Sequence, residues 1–490
     1  MLKVQQIPER FESGQTIEPR STVYTATLNA QEANIYNCRV SAYPFNRRWP
    51  GYQRPLAQTQ IAGMLSFVSD EKVEVEITFL TKTPQSVCIR PLSANIQPVL
   101  TGNKVTFTLE KVGAYCLETD NQMTDVLQIF YNPPMEAVKE SEVDLYFGPG
   151  SHHPGIMKVQ SGQRIYVDMD AIVYGSFQLE NVENVEIFGY GILDDAFESR
   201  YGFLPGNGGY FRYVGNIRMT NCKNITVRGV TLRDSVAYIL HTYSCDGIQV
   251  ENVKAVGQWK YNTDGFDFHN TSNVLVDGCF LRTFDDTICM KGNPNYDMDT
   301  RNVIIRNCVL WNDWGKTLEI GYDSSCFHIE NILFENCDLI HNTSGALSIN
   351  NGGGALVENI RYKDIRIEFS DCEKAILIQE TDDQAFPNTD IPAYQAIVIH
   401  NSPLWESGYA VEGAKIPEKF RGYNGLCKVR NVRFDNISIL TLGAEKSVIL
   451  QAVNSGKEGD FSDIHFSNIT LNGRKLTAED FQQLDGAVVE

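Results

Sequence analysis

The 490-residue sequence has no apolar run approaching the ~20 residues that cross a bilayer. None of its 12 cysteines falls in a CxxC pair or another zinc-like spacing, so no metal or other cofactor is expected. Positive charge is scarce: 42 Lys and Arg stand against 61 Asp and Glu, a net charge of −19. That balance argues against nucleic acid or an anionic lipid surface as partner, and it repels polyanionic substrates unless a local basic patch overrides it. The opening MLKVQQIPERF has neither an apolar core nor a small-residue cleavage site. The expected location is the cytoplasm as the sequence stands, or the periplasm or exterior if a leader has been removed. Cys222, Cys279, Cys308 and Cys337 share one local context and read as buried free thiols, which favours a reducing compartment.

Helical periodicity is also missing from the first 140 or so residues. Alternating runs at 73–80, 86–92, 104–120 and 126–134, separated by turn residues, predict a small antiparallel β-sandwich over 1–143. Residues 144–490 are repetitive. The unit is Asn or Asp, then alternating aliphatic residues broken by Asn, Gly or Asp. Copies include NVEIFGYGIL (184–193), NITVRGVTL (224–232), NVLVDGCFL (273–281), NVIIRNCVL (302–310) and DIHFSNITL (463–471). A period in the range of ~20–50 residues marks a solenoid or propeller. Short β coils without helices predict an all-β fold, a parallel β-helix preceded by the sandwich. Five Asn-x-Ser/Thr sites, at Asn224, Asn270, Asn342, Asn436 and Asn468, read as stacked ladder residues rather than glycan acceptors. Two stretches break the rhythm. An insertion at about 380–426 carries Tyr394, Trp405 and Tyr409 and is expected to wall a cleft. Residues 477–490 predict a capping helix with Thr477 as N-cap.

Acidic residues concentrate where the coils are most regular. Asp264 and Asp267 lie in YNTDGFDFH, and Asp285 and Asp286 in RTFDDTICMKG, about one coil later. Residues one coil apart stack at roughly the strand spacing of ~4.8 Å. Clustered carboxylates repel, so at least one holds a proton near neutrality. That suits general acid–base hydrolysis of a glycosidic bond. The alternatives are a solvated acidic face or a calcium site built from Asp oxygens. Adjacent residues on a regular strand point to opposite faces, so Asp285 and Asp286 can act together only if the chain turns or bulges there.

Asn262-Thr263-Asp264-Gly265 and the Asp285-Asp286 pair, in that order and spacing, resemble the NTDG and DD motifs of polygalacturonase-type glycoside hydrolases and the related dextranase family. The resemblance covers roughly 145–475, and a sandwich preceding a β-helix resembles the dextranase branch most. It implies a right-handed β-helix and an inverting mechanism. Asp285 would be the general acid, while Asp264 and Asp286 would activate water. The sequence departs from polygalacturonases at two motifs. Lys316 replaces the His of GHG, and Ser348-Ile349-Asn350 stands at the RIK position, so the Arg and Lys that grip a galacturonate carboxylate are missing. A neutral dextran-like, α-glucan or galactoside substrate therefore fits better than pectate. Lys316, His241, Trp259, Trp314, Asn262, Ser348 and Asn350 are the candidate substrate-binding residues. Each of Lys316, Trp259, Trp311, Trp314 and His241 also has a structural reading, as has His269, which reads as a ladder or supporting residue. Competing functions are a polygalacturonase-like enzyme on pectic oligosaccharides, a polysaccharide lyase or fructotransferase, and a carbohydrate-binding β-helix without catalysis.

Overall fold

A computed structural model describes residues 1–6, 20–41, 56, 59–198, 215–343, 345–370, 394–401, 427–442, 448–455 and 459–490. Two small sheets come first. Strands Tyr24–Leu28, Gln31–Ala33, Val73–Phe79, Val99–Thr101 and Lys104–Leu109 form one. Lys3–Val4, Tyr36–Ser41, Thr59–Val68, Val87–Arg90, Gly113–Thr119 and Gln122–Asn132 form the other. Pairing is antiparallel except between Thr59–Val68 and Gln122–Asn132. Alternation such as VEVEITF places Val73, Val75, Ile77 and Phe79 in a shared core with Leu65, Phe67, Leu117 and Leu127.

From Leu145 onward the chain winds into one 30-stranded, essentially parallel sheet, a β-helix with three faces. The first face stacks Ile217–Thr220, Leu240–Tyr243, Phe266–His269, Ile288–Gly292, Lys316–Ser324, Gly345–Asn351, Tyr394–Asn401 and Val448–Asn454. The second includes Lys223–Arg228, Asp246–Glu251, Ser272–Asp277 and Thr300–Arg306, and the third Thr231–Arg233, Lys254–Val256, Phe280–Thr283 and Val309–Asn312. On the second face Ile225, Ile248, Val274, Val303, Ile332, Ile360, Val432 and Ile464 pair in unbroken register, a column of aliphatic side chains inside the coil. Phe334, Tyr362, Phe434 and Phe466 stack beside it at 4.5, 4.6 and 4.9 Å.

The Asn positions turn each coil. Asn273, Asn302, Asn331, Asn359 and Asn431 all have φ between 51° and 57°, a left-handed geometry that Asn tolerates. Asn302, Asn331, Asn359 and Asn431 each donate from the side-chain amide to the Asn one coil back, at 2.6–3.2 Å, and Asn273 donates to Asp246 at 2.6 Å. Asn224, Asn436 and Asn468 make the same kind of link, so the ladder reading describes them. Cys222, Cys279, Cys308 and Cys337 are buried free thiols.

Two expectations change. The predicted terminal helix is a single 3-10 turn, Ala478–Asp480, followed by short strands Gln483–Leu484 and Val488–Val489 that pair with the last coils. Leu476 and Phe481 reach into the core from this segment, so packing on the open coil overrides its helical pattern. The 380–426 insertion is interrupted by strand Tyr394–Asn401 of the first face. Trp405 and Tyr409 lie outside the described residues.

The sandwich docks on the third face. Tyr36, Cys38, Met64, Cys116 and Phe130 pack with Ile192, Val256, Phe280, Trp311 and Ile340. Buried charges cross the same contact: Arg90 bonds Glu118 at 2.9 Å and also Glu368, while His341 Nε2 lies 2.6 Å from Glu118. Against the burial that raises it, Arg90, then His341, hold Glu118 down to about 2. Arg90→Ala leaves Glu118 and Glu368 buried with a cation removed, an expected loss of about 3–5 kcal/mol. Calorimetry should show a lowered transition that splits as sandwich and helix uncouple. A melting profile identical to that of the unaltered protein would refute this.

Candidate active site

The three acids sit on the turns that lead from the third face to the first. Asp264 precedes strand Phe266–His269, Asp285 and Asp286 precede Ile288–Gly292, and Lys316 opens the strand of the next coil. The hydrogen bonds Gly265 N–Asp286 O at 2.8 Å and Thr287 N–Lys316 O at 2.7 Å set these turns in register. Both motif glycines are required by close approach. A Cβ on Gly265 would lie 2.2 Å from the Thr287 carbonyl, and one on Gly315 2.4 Å from the Asp286 nitrogen.

Asp285 and Asp286 occupy a bend, not a strand, and this brings both carboxyls to one side. Asn312 Nδ2 and Thr283 Oγ1 both donate to the Asp285 carbonyl at 2.7 Å, pinning the bend. The Asp286 N–H donates to Asp285 Oδ1 at 3.0 Å, and the Lys316 N–H to Asp286 Oδ1 at 2.9 Å. Oxygens of Asp264, Asp285 and Asp286 lie within 4.8 Å of one another.

Sequence reasoning missed the cation among them. Lys291, buried, donates to Asp264 Oδ2 at 3.1 Å and Asp267 Oδ2 at 2.9 Å, and lies 3.7 Å from Asp286 Oδ2. Register alone could have found it, because Lys291 pairs with His269 one coil back. Its ammonium supplies positive charge beside these carboxylates. Lys316 reaches Glu319 at 3.1 Å, so its structural reading and its place beside Asp286 both hold.

Two ammoniums therefore face five carboxyls. Burial, then the Asp286 charge, pushes Asp285 up to about 7. Burial, then Asp286, pushes Glu319 up to about 7 as well. Against the burial that raises them, Lys291 and His269 hold Asp267 well below the usual carboxylate range, and Lys316 and Lys291 lower Asp286. Asp264 lies well above that range, through burial and the charges of Asp267, Asp285 and Asp286. Lys291 opposes this, and it also contacts Asp267. Asp264 Oδ1 meets no hydrogen-bond partner among the described residues.

Other candidates fall into supporting positions. Ser348 and Asn350 are buried, and Asn350 Nδ2 donates to Glu319 Oε1 at 3.0 Å and to Ser348 Oγ at 2.7 Å. Trp259, 2% exposed, donates to Asp234 and offers no face to a sugar. Trp311 is buried against the sandwich, and Trp314 stacks on Phe284 at 5.2 Å, bracing the bend. Asn262 is a half-buried turn residue with φ 56°. His241, 1% exposed, is pushed down to about 3 by burial, then by Arg218 and His269. It backs a wall that sequence reasoning did not identify. Tyr243 stacks on His269 at 4.7 Å and on Tyr296 at 5.4 Å, with the Arg218 guanidinium 5.6 Å from its ring centre.

Fold and site together define a class, a parallel β-helix with a carboxyl cluster at the leading edge of its first face. Comparison with known proteins adds the family likeness. The model of glycosyl hydrolases family 28 matches residues 165–401. "Probable exopolygalacturonase B" of Neosartorya fischeri is 26% identical over 305 residues, 57% of this chain and 63% of that one. Its namesake in Aspergillus terreus is 25% identical over 312 residues, 59% and 61% of the two chains. The chain thus spans less than two thirds of these curated relatives. The solved structure of Dex49A from Penicillium minioluteum shares the fold over 99% of this chain and 98% of its own, with a TM-score of 0.67 and 12% identity. The resemblance drawn from NTDG and DD is borne out.

Replacing Asp286 by Asn removes the charge that adds to burial at Asp285. The Asp285 carboxyl should then titrate below 7, as followed by side-chain 13C NMR. A midpoint unchanged from the native protein would mean that burial alone sets it.

Proposed function

We propose that this protein is a glycoside hydrolase that cleaves its substrate with Asp285 as general acid and Asp286 as the base that activates water. The observation that carries this is the pair of adjacent carboxyls pushed apart by their surroundings, Asp285 up to about 7 and Asp286 down. Such a split supplies a proton donor and a proton acceptor at one pH. Asp264 is pushed up and Asp286 down, which favours Asp286 as the group that takes the proton, with Asp264 holding the same water. A lyase is disfavoured because Lys291 and Lys316, the two ammoniums beside Asp264 and Asp286, are both raised.

Inversion is the stereochemistry the resemblance implies. The close spacing of the acids is nearer to the ~5–5.5 Å typical of retaining enzymes than to the ~6.5–9.5 Å of inverting ones. We nevertheless favour inversion, because Asp264 and Asp286 are only 3% and 8% exposed. A water reaches carboxylates so deeply set more readily than an anomeric carbon does. NMR of the first anomer released decides between the two.

For the substrate, a neutral glycan is supported by Ser348 and Asn350, which stand at the RIK position without its cations, Asn350 donating to both Glu319 and Ser348. A pectic substrate is at least as well supported, by the exopolygalacturonase relatives and by Arg218, a half-buried guanidinium two coils before Asp267 on the same face. A panel of neutral and uronic oligosaccharides tests both. Asp285→Asn should lower kcat by about 10²–10⁴ while binding is retained. Unchanged function in that variant would instead indicate a binding protein, and ultraviolet-absorbing products a lyase. If the substrate is uronic, Arg218→Gln should cut the preference for the free acid over its methyl ester about tenfold.

A further inference from the structure

Lys291 and Asp267 have no part in the acid–base step, yet they are among the most deeply buried charges of the site. Strand Phe266–His269 sends Phe266 and Phe268 into the core and turns Asp267 and His269 outward. One coil on, Lys291 stands in register with His269. A buried ammonium is tolerated only when its charge and hydrogen bonds are met. Here Asp267 at 2.9 Å and Asp264 at 3.1 Å meet them, and the ring of Tyr238 lies 5.5 Å from the same nitrogen. Asp267 Oδ2 also lies 3.6 Å from His269 Nε2. Asp267 thus anchors a cation whose remaining reach is toward the two acids proposed to hold the water.

We infer that Lys291, anchored by Asp267, is a positioning residue that holds the carboxyls of Asp264 and Asp286 side by side around one water. This rests on the reading of Asp286 as the base. Without the ammonium, Asp286 would face Asp264, Asp267, Asp285 and Glu319 with Lys316 as the remaining ammonium, His269 beside Asp267 and the Cys289 thiol nearby, and mutual repulsion would spread or protonate the acids. With it, the Asp267–Lys291 pair is neutral overall, and its positive end lies on the water-holding side.

The test is the purified full-length chain carrying Lys291→Met, Lys291→Arg or the paired change Lys291→Met with Asp267→Asn, which keeps the buried charge balanced should Lys291→Met alone fail to fold. In Lys291→Met, or in the paired variant, the Asp286 carboxyl should titrate higher by about one pH unit or more in 13C NMR. The acidic limb of kcat should move up with it. Maximal kcat should fall at least tenfold while KM changes by less than about threefold, and Lys291→Arg should recover most of the limb. The two changes should be far from additive. The inference is overturned by a folded variant in which Asp286 titrates as in the native protein, or in which KM rises while kcat and its pH limb stay put. If the native protein hydrolyses no sugar in the panel, the proposed function fails. The NMR titration still decides whether Lys291 governs Asp286.

Discussion

The structure depends on one constraint, the in-register hydrogen bonding of each coil to the next. Parallel pairing places equivalent residues about 4.8 Å apart along the axis. The helix interior uses this to build columns, aliphatic from Ile225 to Ile464 and aromatic from Phe334 to Phe466. The turns use it to run Asn to Asn. The same rule acts on charge, where its effect is unfavourable unless compensated. Acids at equivalent positions of adjacent coils are forced together whether or not they repel.

The site is the local answer to that repulsion. Asp264, Asp286 and Lys316 occupy one column of turn positions, and Lys291 enters from the adjoining strand. The two ammoniums lower Asp267 and Asp286 against their burial, while burial raises Asp264, Asp285 and Glu319. The division between donor and acceptor thus follows from the charges and hydrogen bonds that surround each acid. Asp286 accepts the Lys316 N–H and has both lysines as its largest opposing charges, whereas at Asp285 the negative charge of Asp286 acts more strongly than either lysine.

Much of this was legible in the sequence because periodicity is a one-dimensional signal. Repeat starts 26–29 residues apart fixed the coils and so predicted that Asp264 meets the Asp285–Asp286 pair. What the sequence hid lies where periodicity says nothing. The bend at Asp285 depends on the local Thr283 hydroxyl and on Asn312, which reaches it from the next coil. Lys291 carries no motif and was visible only through register with His269. Trp259 looked like a sugar platform, but its indole is spent on Asp234 beneath the surface. Residues 477–490 have a helical pattern, yet the exposed last coil offers unpaired strand edges and an open core. Leu484 and Val489 pair with those edges, and Phe481 covers Phe466 at 4.8 Å.

The N-terminal sandwich belongs in the same argument. It covers the third face, the strand that immediately precedes each acidic turn. Arg282 in Phe280–Thr283 is fully buried, 3.3 Å from Asp313 on the next coil, with its guanidinium 3.8 Å over the Trp311 ring. Trp311 Nε1 donates to the other Asp313 oxygen at 2.8 Å. This lock lies three residues before Asp285 in one coil and three before Lys316 in the next. A turn whose acids must stay within hydrogen-bonding reach of each other needs its incoming strand held still. Here the incoming strand is clamped between a packed solenoid core and a second domain, so the carboxyls inherit their spacing from both.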